Sequence, residues 1–234
     1  MKIKDLSFYI GYDSKEDIAY RVCKNSLINT SSIALNIQSL KLYELVSKKL
    51  YTRNIDPLAS TEFTYSRFLV PALMNYKGWA IFCDCDFLFF QDISLLFETI
   101  DENKALYCVQ HDYTPKERHK MDGKKQTLYP RKNWSSFMVF NCAHPSNKKL
   151  TIDTVNSESG SFLHQLKWLQ DNEIGSIDER WNWLEGWTSK NNNTKPYAVH
   201  FTRGGPWFDE WRDVEFSKEW NSEKEKYLNK KFNS

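Results

Sequence analysis

Two carboxylates separated by one residue, Asp84-Cys85-Asp86, lie between two apolar runs, Trp79-Ala80-Ile81-Phe82 and Phe87-Leu88-Phe89-Phe90. Ionised carboxylates among such neighbours are costly unless they are paired, hydrogen-bonded or bound to a cation. Hard oxygen ligands at this spacing suit Mn²⁺ or Mg²⁺ held against the phosphates of a substrate. The plainer alternative is a strand-to-loop turn whose two Asp side chains cap local backbone. Other groups able to do chemistry are Tyr12-Asp13, Arg67, His164-Gln165 and the late stretch His200-Phe201-Thr202-Arg203-Gly204-Gly205-Pro206-Trp207.

The hydrophobic pattern predicts the elements that must position these groups. Leu6–Ile10 reads as a first strand, and Gly11-Tyr12-Asp13-Ser14 turns into a helix capped by Asp13 or Ser14. Glu16 and Asp17 favour its dipole, and Ile18, Ala19, Val22 and Cys23 share one face. Tyr12 and Asp13 either stack on a base and bond its edge, or form a plain Asx-capped turn. Ser32–Ile37 predicts a second strand, and Leu40–Leu50 a short helix or a loop. A helix starting at Ser60-Thr61-Glu62 carries Arg67, which either reaches a phosphate or pairs with Glu62 or another surface acid. Trp79–Phe82 reads as a buried central strand, and open α/β sheets bind ligands at such strand ends.

Further along, Ile93–Ile100 predicts a helix, Ala105–Gln110 and Ser135–Phe140 strands, Gly160–Gln170 a helix, and Tyr197–Phe201 a last strand. His111–Lys132 is a basic loop with Lys116, Arg118, Lys120, Lys124, Lys125, Arg131 and Lys132. It is either solvated decoration or a lid that attracts an anionic substrate. Ser217–Lys231 predicts a charged helix packing Trp220 and Tyr227 on the body. Residues 217–234 are then a helical tail on one domain spanning 1–234.

The 234 residues suffice for one substantial core. Aromatics make up 15%, with nine Trp, which suits either a cleft that stacks on flat rings and sugar faces or a Trp-rich core. A net charge of +2 gives no nucleic-acid footprint, and no RNA-binding motif supports a role for Tyr113, Tyr129 and Trp134 in touching RNA. The five Cys lack paired zinc spacing and predict buried free thiols. There is no G-x-G-x-x-G and no P-loop. No run reaches membrane-spanning length and the first residues have no apolar signal core. A soluble cytoplasmic protein is expected, peripheral attachment at the inner membrane face being compatible with this.

Taken in order, these stretches resemble the GT-A-fold glycosyltransferases, most closely the family 8 type that includes bacterial lipopolysaccharide galactosyltransferases and glycogenin. The resemblance rests on Tyr12-Asp13 after the first strand, on Tyr65-Ser66-Arg67 with Phe68-Leu69-Val70-Pro71, and on GWAIFCDCDFLF. It continues in a loose F-N-x-G-like strand over Ser135–Asn141, in Trp181-Asn182, and in His200–Trp207. It implies a single α/β, Rossmann-like nucleotide-sugar-binding domain with a mixed central sheet flanked by helices. It also implies a hexosyltransferase that moves a sugar, with retention, from a nucleotide-sugar to a glycan or other hydroxyl acceptor. The donor implied is a UDP-sugar, as in polysaccharide biosynthesis.

By the same resemblance Asp84, Asp86 and His200 bind Mn²⁺ (or Mg²⁺), which bridges the donor diphosphate, with Cys85 among the donor contacts. Backbone N–H groups of Gly204 and Gly205, and the side chains of Arg67 or Arg203, would add donors there, beside Trp207. The chain departs from the family in three places. F-N-x-G appears as Trp134-Ser135-Ser136-Phe137, which makes Ser135 and Ser136 the donor-sugar candidates. The D-Q-D helix start appears as Leu163-His164-Gln165, which puts His164 and Gln165 near the reacting carbon. A Lys before Pro-Trp is replaced by Gly205, leaving Arg203 to supply charge.

Three other readings use the same features. A sugar-phosphate nucleotidyltransferase would normally show a Gly-rich N-terminal loop with Arg and Lys, which FYIGYDSKED lacks. A non-catalytic carbohydrate-binding module would bind sugar on aromatic platforms without metal or nucleotide. A phosphatase of the haloacid dehalogenase type expects a small or β-branched residue and a Gly just after its D-x-D, where this chain has four apolar residues.

Overall fold

The computed structural model describes residues 5–54, 56, 59–112, 131, 133–188 and 194–232. All of the basic segment 112–132 except Asp112 and Arg131 lies outside them. The continuous apolar runs become strands of a six-stranded sheet: β1 (Asp5–Gly11), β2 (Ala34–Leu40), β3 (Trp79–Cys83), β5 (Leu106–Cys108), β6 (Phe137–Asn141) and β7 (Ile174–Ser176). A second sheet holds β4 (Phe87–Phe89), β8 (Trp183–Leu184) and β9 (Ala198–His200). The helices are α1 (Asp17–Thr30), α2 (Leu42–Ser47), α3 (Val70–Leu73), α4 (Ile152–Ser157), α5 (Gly160–His164) and α6 (Ser217–Phe232).

The large sheet runs β2-β1-β3-β6-β5-β7 and the small one β4-β9-β8. β1 is parallel to β2 and β3, with Tyr9 opposite Phe82, whereas β6 runs antiparallel to both β3 and β5. β3 and β5 therefore point the same way. The C-terminal ends of β1, β3 and β5 and the start of β6 meet at one edge of the sheet. β3 and, up to its last residue Asn141, β6 are apolar because both faces are covered, whereas edge strand β2 alternates exposed and half-buried positions up to buried Leu40.

Several boundaries differ from expectation, each for a local reason. β2 starts at Ala34 and reaches Leu40, because residues 32–33 bend out of α1 first. No helix starts at Ser60; turns lead into a 3₁₀ turn, Ser66–Leu69, and α-helix begins only around Pro71, whose missing N–H suits a first turn. Ile93–Glu98 is 3₁₀ rather than α, its first turn capped by Asp92, which accepts from Ser94 N–H at 3.0 Å. The helix expected over Gly160–Gln170 stops at His164. Leu166 adopts φ +53°, and the chain turns so that Leu166, Trp168 and Leu169 all reach the core.

The C-terminal helix docks through both aromatics. Trp220 is buried in a second apolar cluster with Val22, Trp183 and Phe201, and Tyr227 accepts from Arg21 at 2.9 Å. A polar seam adds to this: buried Glu223 accepts from the side-chain amides of Asn25 at 2.6 Å and Asn29 at 2.5 Å on α1. The five cysteines are free and buried. Among the described residues, no helix is long and apolar enough to cross a membrane.

Candidate active site

Asp84 and Asp86 lie where the chain leaves the large sheet at β3 and enters the small one at β4. Backbone bonds fix both: Asp84 N–H donates to Ser136 C=O at 2.9 Å, and Asp86 C=O accepts from Phe201 N–H at 3.0 Å. β4 and β9 pair antiparallel with Phe87 opposite His200, which sets the imidazole on the Phe87 ring at 4.5 Å and 15°. One ligand atom from each of Asp84, Asp86 and His200 then falls within 4.8 Å of the others.

The hydrogen bonds around Asn182 assign the tautomer of His200. Ser136 Oγ donates to Asn133 C=O at 2.7 Å, so toward Asn182 it must accept, and it does so from Nδ2 at 2.9 Å. Asn182 Oδ1 therefore faces His200 Nδ1 at 2.9 Å, and Nδ1 carries the proton. In the neutral ring the lone pair then lies on His200 Nε2, 3.3 Å from Asp86 Oδ1. Lone pairs facing each other across that gap repel unless a proton or a metal cation sits between them. Asp84 Oδ1 and Asp86 Oδ1 are also buried without an aligned hydrogen bond. Two carboxylate oxygens and a neutral imidazole held by an outer amide form a donor set that fits Mn²⁺ or Mg²⁺.

Arg67 pairs with neither Glu62 nor another surface acid. It is buried, its Nη1 lies 2.7 Å from Asp84 Oδ1 and donates to Ser135 C=O at 3.0 Å, and its guanidinium lies over Phe63 and Phe82. It holds the first metal-ligand candidate, Asp84, in place rather than pairing with a surface acid. Burial pushes the Asp84 carboxyl up to about 6, Arg67 pulls it back, and Asp86 adds to the rise.

At the end of β1, Asp13 is buried with both oxygens engaged: Oδ1 accepts from Lys15 N–H at 2.9 Å and Oδ2 from Glu62 N–H at 3.1 Å. Its carboxylate thus caps the 3₁₀ turn Ser14–Glu16 and anchors a distant loop. Tyr12 is half-buried, donates to Asp17 at 3.0 Å and has Lys41 above its ring at 5.3 Å. Glu16, read from the sequence as a dipole residue, turns inward instead. It accepts from the Cys85 thiol at 3.5 Å, and burial with the charges of Asp86 and Asp13 pushes its carboxyl up to about 8.

On the other side of the acids, Ser135 Oγ and His164 Nδ1 are 2.8 Å apart, with Phe68 edge-on to the imidazole. Gln165 points along its own turn, donating to Ser161 Oγ at 3.0 Å. The structure brings Ser135, Ser136 and His164 together beside Asp84 but aims Gln165 elsewhere.

The late stretch differs most from expectation. Arg203 pairs with buried Glu185 at 2.9 Å and lies over Trp211, so its charge is balanced. The N–H of Gly204 donates to Phe201 C=O at 2.9 Å in a turn with φ +122°. Gly205 is required by packing, since a Cβ there would lie 2.1 Å from the Trp207 ring. Trp207 packs on Phe201 and Trp220. Sequence reasoning gave Asn182 no role beyond the Trp181-Asn182 pair and read Glu16 only as a helix-dipole residue, so neither was placed in the site.

Known proteins carry the same arrangement of elements. The sequence profile of glycosyl transferase family 8 matches residues 21–211. Protein CDI of Arabidopsis thaliana is 52% identical over 227 residues, covering 96% of this chain and 88% of its own length. The apo structure of the bifunctional glycosyltransferase WbbM matches with a TM-score of 0.66 at 13% identity, over 96% of this chain and 50% of its own. Apo GlyE from Streptococcus pneumoniae gives 0.60 at 14% identity, over 99% and 64%. The galactosyltransferase LgtC, solved with donor and acceptor sugar analogues, gives 0.57 at 10% identity, over 94% and 95%. This chain spans half of WbbM and just under two thirds of GlyE. Likeness at such identities is one of fold, whereas the profile and the plant relative carry the family, and a non-catalytic carbohydrate-binding module is disfavoured. The chain belongs to glycosyl transferase family 8 and is a glycosyltransferase with the GT-A fold.

Proposed function

We propose that this enzyme uses a divalent cation, Mn²⁺ or Mg²⁺, to transfer a sugar from a nucleotide-sugar, a UDP-sugar, to a hydroxyl acceptor with retention of configuration. The observation that carries the reading is the cluster of half-buried Asp84 and Asp86 with buried His200, whose converging oxygen and nitrogen atoms suit a cation. When bound, the ion would supply Lewis acidity to the departing diphosphate. Asp84 and Asp86 supply hard oxygen donors, and Asn182 keeps the Nε2 lone pair of His200 turned inward. Arg67 keeps Asp84 ionised and in place. Tyr12, Asp13 and Glu16 line the side of the site assigned to the nucleoside, Asp13 acting through the loop it shapes. Ser135, Ser136 and His164 line the side assigned to the sugar. That LgtC was solved with donor and acceptor sugar analogues supports looking for both substrates here.

The test is a thermal-shift screen of nucleotides and nucleotide-sugars with Mn²⁺ and with EDTA, since a ligand selective for the native state raises its melting temperature. A shift with one UDP-sugar that disappears in EDTA is expected. Asp86→Asn should abolish metal-dependent turnover while leaving the circular dichroism spectrum unchanged. Turnover at the wild-type rate in that variant would reject the reading.

A further inference from the structure

The strand order β2-β1-β3-β6-β5-β7 leaves β2 at one edge of the large sheet, with no strand on its far side among the described residues. An edge of this kind presents backbone N–H and C=O groups that are a template for another strand. Native proteins blunt such edges with Lys, Pro, a bulge or a very short strand. β2 has none of these. It is seven residues long, and its register against β1 runs unbroken from Ala34 to Leu40. The stretch Ser31–Leu40 contains no charged residue, no Pro and no Gly, although 26% of the chain is charged.

The flank of this edge is apolar. Leu35 and Ile37 face α1, as does Ser39, which hydrogen-bonds Tyr20 of that helix. With Ile33, Ile28, Ser31 and Lys24, Leu35 and Ile37 line an open groove of about 330 Å³. Ile28 is 49% exposed on its wall. Leu95, next to the Ser94 that meets Ser32, is 38% exposed. On the opposite face of β2, Ala34, Asn36 and Gln38 are exposed. The edge thus offers apolar side chains on one face and uncharged polar ones on the other.

We propose that β2 pairs antiparallel with β2 of a second copy of this chain across a two-fold axis, joining the two large sheets into one. The strand complements itself in that arrangement. With the axis at Ile37, Ile37 lies opposite its own copy, Leu35 opposite Ser39, Asn36 opposite Gln38 and Ala34 opposite Leu40. The first two pairs carry the apolar face across the junction, so the two grooves adjoin. The Asn36–Gln38 pairs set carboxamide against carboxamide, donor to acceptor. Lys41 falls opposite Ile33, so no like charges meet, a juxtaposition that destabilises paired strands. A charged peptide would find no counter-charge along β2, whereas a second β2 needs none. The opposite edge strand, β7, has only three residues, so the isologous pairing closes at a dimer. Antiparallel pairing sends the two Asp84-Asp86 sites to opposite edges of the joined sheet. Each site is complete within one copy, so the dimer stands independently of the donor reading.

The test is sedimentation equilibrium of the full chain across micromolar concentrations, where the wild type should be a dimer. Asn36→Glu combined with Gln38→Glu changes two exposed positions and sets like charges against each other in both pairs. It should weaken dimerisation by at least about tenfold, equivalent to about 1.4 kcal/mol. Asn36→Lys combined with Gln38→Lys should do the same. Mixing the acidic and basic double variants should restore a dimer of one copy of each, with at least wild-type affinity. Far-UV circular dichroism checks that both variants fold, and recovery on mixing is a result that misfolding cannot give. A wild type that stays monomeric would overturn the proposal and leave the edge to a strand of another protein. A dimer that neither double variant weakens would place the contact elsewhere and overturn it as well. Monomeric variants that fail to pair when mixed would overturn the antiparallel pairing.

Discussion

Replacing Asn182 by alanine removes the amide that fixes His200, and the consequence can be worked out bond by bond. The side chain is fully buried and makes three contacts, to Ser136 Oγ at 2.9 Å, Asn133 C=O at 3.4 Å and His200 Nδ1 at 2.9 Å. After Asn182→Ala the serine hydroxyl still donates to Asn133, but the buried Nδ1–H of His200 has no acceptor, a cost of about 1–3 kcal/mol. The imidazole can regain a partner by moving its proton to Nε2 and turning, which withdraws the lone pair from Asp86. Outer partners of metal-binding histidines are worth roughly 10–100-fold in affinity, or about 1.4–2.8 kcal/mol. Calorimetric titration of Mn²⁺ into the UDP-bound protein at pH 7.5 should show a loss of that size. Asn182→Asp separates the two halves of the network. It keeps the acceptor for His200 but forces Ser136 to abandon either Asn133 or residue 182, so metal affinity should stay within a few-fold while stability falls. Wild-type Mn²⁺ affinity in Asn182→Ala would refute the tautomer reasoning.

Arg67→Met leaves Asp84 buried without its counter-ion and should cost about 3–5 kcal/mol of stability without metal, with part of the loss recovered when Mn²⁺ is added. A melting temperature that falls equally with and without Mn²⁺ would contradict this. Glu223→Ala strands two amide donors in the seam between α1 and α6; at about 1–3 kcal/mol the melting temperature should drop by roughly 2–10 °C. Proteolytic cleavage in α6 should speed up in parallel, and unchanged cleavage would argue against the seam. His111 supplies a pH dependence. Burial holds its pKa at about 3 against an ordinary 6.5, so between those values the unfolded chain binds a proton that the native state refuses. Stability is then lost as pH falls below about 6.5. In EDTA the melting temperature of His111→Leu relative to wild type should rise from pH 7.5 to pH 5, and a constant gap would show that the ring is not held neutral.

Much of this architecture can be read from the chain because its central strands are continuous apolar runs. Trp79–Phe82 and Tyr197–Phe201 declare themselves, and the Asp84-Asp86 spacing at the end of the first is a local signal. His200 is not local: about half the chain separates it from Asp86, and only the family resemblance connected them. Ion-pair partners were the least legible feature. Glu62 is the acid nearest Arg67 in sequence, yet Glu62 bonds Ser14 while Arg67 crosses to Asp84, a choice made by how the 3₁₀ turn packs on the sheet. Arg203 looked free in a stretch of glycines because its partner, Glu185, arrives from β8. The end of α5 was hidden for a related reason: Leu166, Trp168 and Leu169 fit a helical pattern locally, and tertiary packing overrode it.

The crossing of the chain between the two sheets also sets an order of events during synthesis. Arg67 leaves the ribosome before Asp84 and Asp86, and β9 with His200 follows only after about half the chain has been added. At about 5–20 residues per second that interval is on the order of ten seconds. Throughout it, the guanidinium of Arg67 is already available as a counter-charge for the nascent acids. Only when Phe87 finds His200 across β4 and β9 can the third nitrogen-or-oxygen ligand enter. On the proposed metal reading, loading with a divalent ion comes at the end of biogenesis, once the two sheets have joined in register.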